Sequence, residues 1–150
     1  MNILPIDASE DEIKFFIIEW NQLMAQEKYA EALNMIPYDI FYSEVNWTPE
    51  LLKSVVYGYG IVGMTREEVE KEFGSADYKI TSIYTSKDKQ RILDGIDISY
   101  EYKWVKDGDL GIIYYDVPLN NEISDLTARF IIRKLDKKTI TLVFMDLHVM

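Results

Sequence analysis

The chain has 150 residues, 26 Asp and Glu against 16 Lys and Arg, a formal net charge of -10, and no cysteine. That length suits one domain able to hide roughly 70% of the surface its unfolded chain exposes, and the missing cysteines exclude a disulfide scaffold, a thiolate metal site and a cysteine nucleophile. The acidity is uneven: residues 1–50 hold 10 acids and 2 bases, a net of -8, while residues 51–150 hold 16 and 14, a net of -2.

A surface of that sign repels nucleic-acid backbone and anionic membrane and attracts a basic partner. Acidic helices also simply keep proteins dissolved, which is the commoner reason for them. The Met1–Asp7 segment has no basic stretch and no long apolar one, and no apolar run nears the about 20 residues of a membrane helix. The expectation is a soluble cytoplasmic protein that binds neither nucleic acid nor membrane.

In chain order, Ser9 and Glu12 predict a capping box, followed by Ile13, Phe16, Ile17, Trp20, Leu23 and Met24 at helical spacing. A second helix, about Tyr29 to Met35, is closed by Pro37. Residues Tyr38 to Trp47 read as irregular or a short strand. Thr48-Pro49-Glu50 opens a third helix, with Thr48 as N-cap and Pro49 where its missing N–H costs nothing. Gly63 to Gly74 predicts a fourth, from a Thr65/Glu68 capping box, a Met64/Val69 staple and a C-terminal Gly74.

The period then changes from 3.6 to 2. Tyr78, Ile80, Ser82 and Tyr84 predict a strand, and Ser86 to Gln90 a charged loop. Ile98, Tyr100, Tyr102 and Trp104 share a strand face, and Asp107-Gly108 predicts a hairpin. The return strand carries Ile112 to Tyr115 and ends at Pro118. After a turn at Asn120-Asn121, Ala128, Phe130 and Ile132 form the next strand. Asp136 to Lys138 turns the chain into a last strand, Thr139 to Val149. The whole predicts one α+β domain, N-terminal helices packed on a curved antiparallel meander.

Candidate functional residues lie on the strands. Ile140, Leu142 and Phe144 point one way, and strict alternation puts Asp146 and His148 on that same face, as an acid–base or metal-binding pair in a pocket; against this, a strand end emerging into solvent leaves both inert. Asp125 and Arg129 pair with each other, or Arg129 binds an anion, although loop chemistry alone accounts for such residues. Tyr100, Tyr102, Trp104 and Tyr114, with Tyr115, put large amphipathic rings on the sheet, where they line a ligand pocket, anchor a protein interface or pack the core. No phosphate loop, metal cluster or nucleophile-plus-base set is present in the sequence, so no cofactor is expected.

The order of elements resembles the cystatin-like cone fold of the nuclear transport factor 2-like superfamily. More locally, Val117-Pro118-Leu119-Asn120, Ser124 to Phe130 and the closing Asp146-Leu147-His148-Val149-Met150 resemble an uncharacterised bacterial family of small cytosolic proteins, whose relatives include immunity proteins of toxin systems. The resemblance implies a non-enzymatic protein-binding domain that neutralises a basic toxin. The alternative is a small-molecule-binding or catalytic cone with Tyr100, Tyr102, Trp104, Asp146 and His148 in its cavity. A self-complementary sheet face, hence a homodimer, is a third reading.

Overall fold

The computed structural model describes residues 2–58, 66–73, 78–100 and 106–149. Helices pack against a curled five-strand antiparallel sheet, a half-barrel of the α+β class. The elements are β1 (Leu4–Pro5), α1 (Glu10–Ala25), α2 (Tyr29–Met35), α3 (Ile40–Ser43), α4 (Pro49–Tyr57), α5 (Arg66–Phe73), α6 (Lys89–Asp94), β2 (Asp97–Ser99), β3 (Asp109–Leu119), β4 (Glu122–Lys134) and β5 (Thr139–Val149). The strands lie in the order β1-β5-β4-β3-β2, so the meander grows outward from β4 and the N-terminal strand closes it beside β5.

Local chemistry sets most helix starts. The α1 capping box forms in both directions, Glu12 N–H to Ser9 Oγ at 3.2 Å and Ser9 N–H to Glu12 Oε1 at 3.1 Å. Its apolar stripe buries Ile13, Ile17, Trp20 and Met24. At α4 the Leu51 N–H donates to Thr48 Oγ1 at 3.1 Å, behind Pro49. The capping residues expected around α5, Met64, Thr65 and Gly74, lie outside the described residues.

Several expectations are corrected. The stretch from Tyr38 to Trp47 contains the short helix α3, started by Asp39, whose carboxylate accepts from the Phe41 N–H at 2.9 Å. The run at Tyr78 to Tyr84 is not a strand; it makes one isolated bridge, Ile80 to Leu119, and then turns. Burial there does not follow the alternation, for Ile80 and Ile83, three apart, are both inside while the α1 amides hold the backbone, Asn21 Nδ2 to Thr81 O at 3.1 Å and Gln22 Oε1 from Ile83 N–H at 3.2 Å. The expected loop at Ser86 to Gln90 runs into helix α6. Pro118 does not end its strand, because a register shift between Asp116 and Pro118 lets the ladder absorb a residue without an N–H. Asn120 and Asn121 both take positive φ, 50° and 67°, in a tight β3–β4 turn, so Ser124 and Asp125 stand in β4 rather than in a loop.

The core is aromatic at its centre. Trp20 stacks on Phe144 at 5.9 Å and meets Phe130 edge-on at 5.2 Å, and Trp47 meets Phe144 edge-on at 5.2 Å. Each such pair contributes about 0.5–1.5 kcal/mol beyond the area it buries. The same apolar interior leaves the indole N–H groups of Trp20 and Trp47 without a hydrogen-bond partner. Tyr115, fully buried, escapes that cost by donating to Asn21 Oδ1 at 2.8 Å.

Candidate functional site

Which face a strand residue occupies follows from the ladder. On β4, Leu126, Ala128, Phe130 and Ile132 belong to the core under the helices, so Thr127, Arg129, Ile131 and Arg133 project from the other face. On β5, Ile140, Leu142 and Phe144 face the core, but the register then shifts: Phe130 pairs with Phe144 while Arg129 pairs with Asp146. Met145 is the extra residue of a β-bulge, which resets the alternation. Beyond it Leu147 is buried in the core, and Asp146 and His148 turn to the opposite face. Strict alternation placed them inside; the bulge puts them outside.

There Asp146 is fully engaged. Arg129 grips it at both oxygens, Nε to Oδ1 at 2.8 Å and Nη2 to Oδ2 at 2.6 Å, with side chains 18% and 21% exposed. The geometry is the fork-to-fork pairing that a guanidinium and a carboxylate prefer. Arg129 thus has Asp146 as a bidentate partner, and Asp125 is exposed near the start of β4. His148 Nδ1 lies 3.1 Å from Asp146 Oδ2, yet it makes no hydrogen bond there. Across the ladder, Thr127 opposes His148 and donates to Asp116 Oδ1 at 2.6 Å, while Tyr114 opposes Arg129 and packs on Ile112, Ile131, Val143 and Met145. His148, Asp146, Arg129 and Tyr114 therefore share one band, as sites on neighbouring strands of the same face.

A second charged group, invisible in the sequence, pins α3 to that face. Arg133 bonds Asp109 Oδ1 at 2.8 Å and Asp39 Oδ2 at 2.7 Å, Lys106 reaches Asp39 Oδ2 at 2.9 Å, and Tyr42 donates to Asp109 at 2.5 Å. Burial alone would raise the Asp39 carboxyl; the bonds from Lys106, the Phe41 N–H and Arg133 outweigh it and hold the group well below the usual carboxylate range. Partial burial, then the bond to Asp109, push the Tyr42 phenol up to about 12. Two carboxylates answer two cations, so the cluster is a clasp closed on itself.

The remaining predicted residues divide. Tyr100 follows β2 and is 53% exposed; partial burial and the nearby Glu10 charge raise its phenol, which puts it beside the start of α1. Its ring also sits over Gly111, where a Cβ would come within 2.6 Å of Ser99 O. Tyr102 and Trp104 lie outside the described residues. Among the described residues, no group of three or more Asp, Glu or His could hold a metal ion, and no helix is long and apolar enough to cross a membrane.

One residue absent from the expected set stands out on α1. Phe15 is off the apolar stripe, 56% exposed, and packed edge-on against Phe16 at 5.6 Å. Open grooves flank it. One, of about 470 Å³, is lined by Leu4, Asp11, Glu12, Phe15 and Phe16. The other, of about 350 Å³, runs between α1 and α6 past Asp11, Lys14, Phe15, Ile18, Leu93 and Asp94. The signal was present in the sequence as an aromatic about 100° around the helix from Phe16, inside a segment where residues 1–12 hold four acids and no base.

Comparison of the chain with protein-family models, with curated proteins and with solved structures finds no match in any of the three. The site must be read from its own chemistry.

Proposed function

We propose that this protein is a non-enzymatic protein-binding domain whose acidic helical layer docks a basic partner, in the manner of an immunity protein occluding a toxin. The observation that carries the reading is Phe15, a large aromatic exposed in the most acidic part of the chain and flanked by two apolar-floored grooves. An aromatic anchor in surroundings of net negative charge is what a complementary interface uses: the ring supplies contact area, and the charges supply steering and partner choice. Tyr100, near Glu10, adds a second exposed ring on the same acidic side.

The disposition of Asp146 and His148 also favours binding over catalysis. The centre of the fold is filled by Trp20, Tyr115, Phe130 and Phe144, each fully buried. The carboxylate that a cone enzyme would place inside is outside and paired with arginine.

The test is a pull-down from the source organism with the full chain as bait, at low and high salt. One basic protein should be recovered, be released as salt rises, and fail to bind bait carrying Asp11→Lys and Glu12→Lys. Failure to recover a partner, or recovery indifferent to both salt and charge reversal, would sink the reading.

A further inference from the structure

We infer that the two grooves astride Phe15 take a basic amphipathic helix of the partner protein, seating one apolar side chain on each side of the ring; this rests on the acidic-surface reading above and names the occupant of that surface.

Three features select this occupant. The grooves share Asp11 and Phe15, so a ligand filling both must cross the Phe15 ring with apolar groups on either side of it. Their floors are apolar, from Leu4 and Phe16 in one and Ile18, Leu93 and Ile96 in the other. Among the described residues their rims carry Asp11, Glu12 and Asp94 against Lys14, so the groups between a ligand's apolar anchors meet net negative charge.

The adjoining sheet edge argues for a helix rather than an added strand. A strand partner recruits backbone N–H and C=O groups from an edge. Here the edge strand β1 is only Leu4–Pro5; Pro5 has no N–H, and its carbonyl already accepts from Ala8 at 3.0 Å. Such an edge is blunted against pairing. At the β1 edge recognition therefore falls to side chains, which a helix supplies from one face at i, i+3, i+4 and i+7.

The experiment is a fluorescence-anisotropy titration of the full chain with three labelled synthetic peptides of about 18 residues. The first is a lysine–leucine helix with its leucines on one face, the second its scrambled isomer, and the third an alternating lysine–valine strand former of equal charge. The helical peptide should bind at least about tenfold more tightly than either control, and Phe15→Ala should abolish most of that advantage. Phe15 is exposed, so its loss does not threaten the fold, and Phe15→Leu should restore part of the affinity. Equal binding of helical and scrambled peptides, both lost on Asp11→Lys, overturns this inference while leaving the acidic-surface reading in place. Tighter binding of the strand former overturns the choice of a helix. Absence of binding by all three overturns the inference outright, whereas the reading beneath it stands or falls on the pull-down.

Discussion

Arg129 and Asp146 meet across the β4–β5 ladder with two bonds, 2.8 and 2.6 Å long, on the sheet face opposite the core of Trp20 and Phe130. The inserted residue Met145 puts the carboxylate there. Without the bulge, Asp146 would point into a core centred on Trp20 and Phe130, where an ionised carboxylate lacks both water and a cation.

Asp146→Ala takes the bidentate carboxylate from a guanidinium that is only 18% exposed. The expected cost is about 1–3 kcal/mol, read as a lower midpoint in urea unfolding at unchanged slope. A double-mutant cycle with Arg129→Ala should return a coupling of about 0.5–3 kcal/mol. His148→Ala, whose Nδ1 makes no hydrogen bond, should stay within about 0.5 kcal/mol of the parent. If the histidine change costs as much as the aspartate change, the description of this band is wrong.

The clasp under α3 makes stability fall at both ends of the pH scale. Asp39 has a depressed native value, so its contribution is present above its ordinary 3.8 and is lost as pH falls through the native value. Tyr42 runs the other way: its contribution is present below 10.0 and is lost as pH rises through about 12. Asp39→Asn should therefore lower stability at neutral pH and flatten the acid arm below about pH 4. Tyr42→Phe should flatten the alkaline arm in part, since Tyr115, raised first by burial, still titrates there. Melting temperatures followed across pH would show an unchanged acid arm in Asp39→Asn if the clasp were incidental.

Asn2 ties the start of the chain to its end. Its amide donates to Met35 O at 2.7 Å, its Oδ1 accepts from Leu142 N–H at 2.5 Å, and Thr141 Oγ1 donates to Asn2 O at 2.5 Å, all around a side chain with no exposure. Asn2→Ala strands a buried N–H on β5 and a carbonyl at the end of α2, costing about 1–3 kcal/mol. Calorimetry should show a drop of about 2–4 °C per kcal/mol for a chain of this size. Asn2→Asp should be worse, because it keeps the acceptor but loses the donor to Met35 and adds charge. No measurable change in Asn2→Ala would contradict the clamp.

How much of this was legible varies with the range of the cause. The α1 and α4 starts were readable because a cap is satisfied within three residues, as at Ser9–Glu12 and Thr48–Leu51. Strand β5 was found with its ends in place, since turn chemistry at Asp136 and a long alternating run bound it locally. The run at Tyr78 to Tyr84 misled because its alternation does not track burial: Ile80 and Ile83, three apart, are both inside a loop pinned by Asn21 and Gln22. Phe15 was overlooked because the helical stripe counts what is buried, and an exposed aromatic leaves the stripe intact.

The sequence by itself determined the class of fold, helices before an antiparallel meander, and the concentration of negative charge in its first third. Those depend on periodicity, caps, turns and composition, all of which act over a few residues. Only the tertiary structure decided which face carries Asp146 and His148, that Arg129 takes Asp146 from across the ladder, and that Asp39, Tyr42, Asp109 and Arg133 converge. A single bulged residue reverses a strand's faces, and a clasp joins groups up to 94 positions apart. Such outcomes are set by register and packing, where one added residue outweighs any local preference.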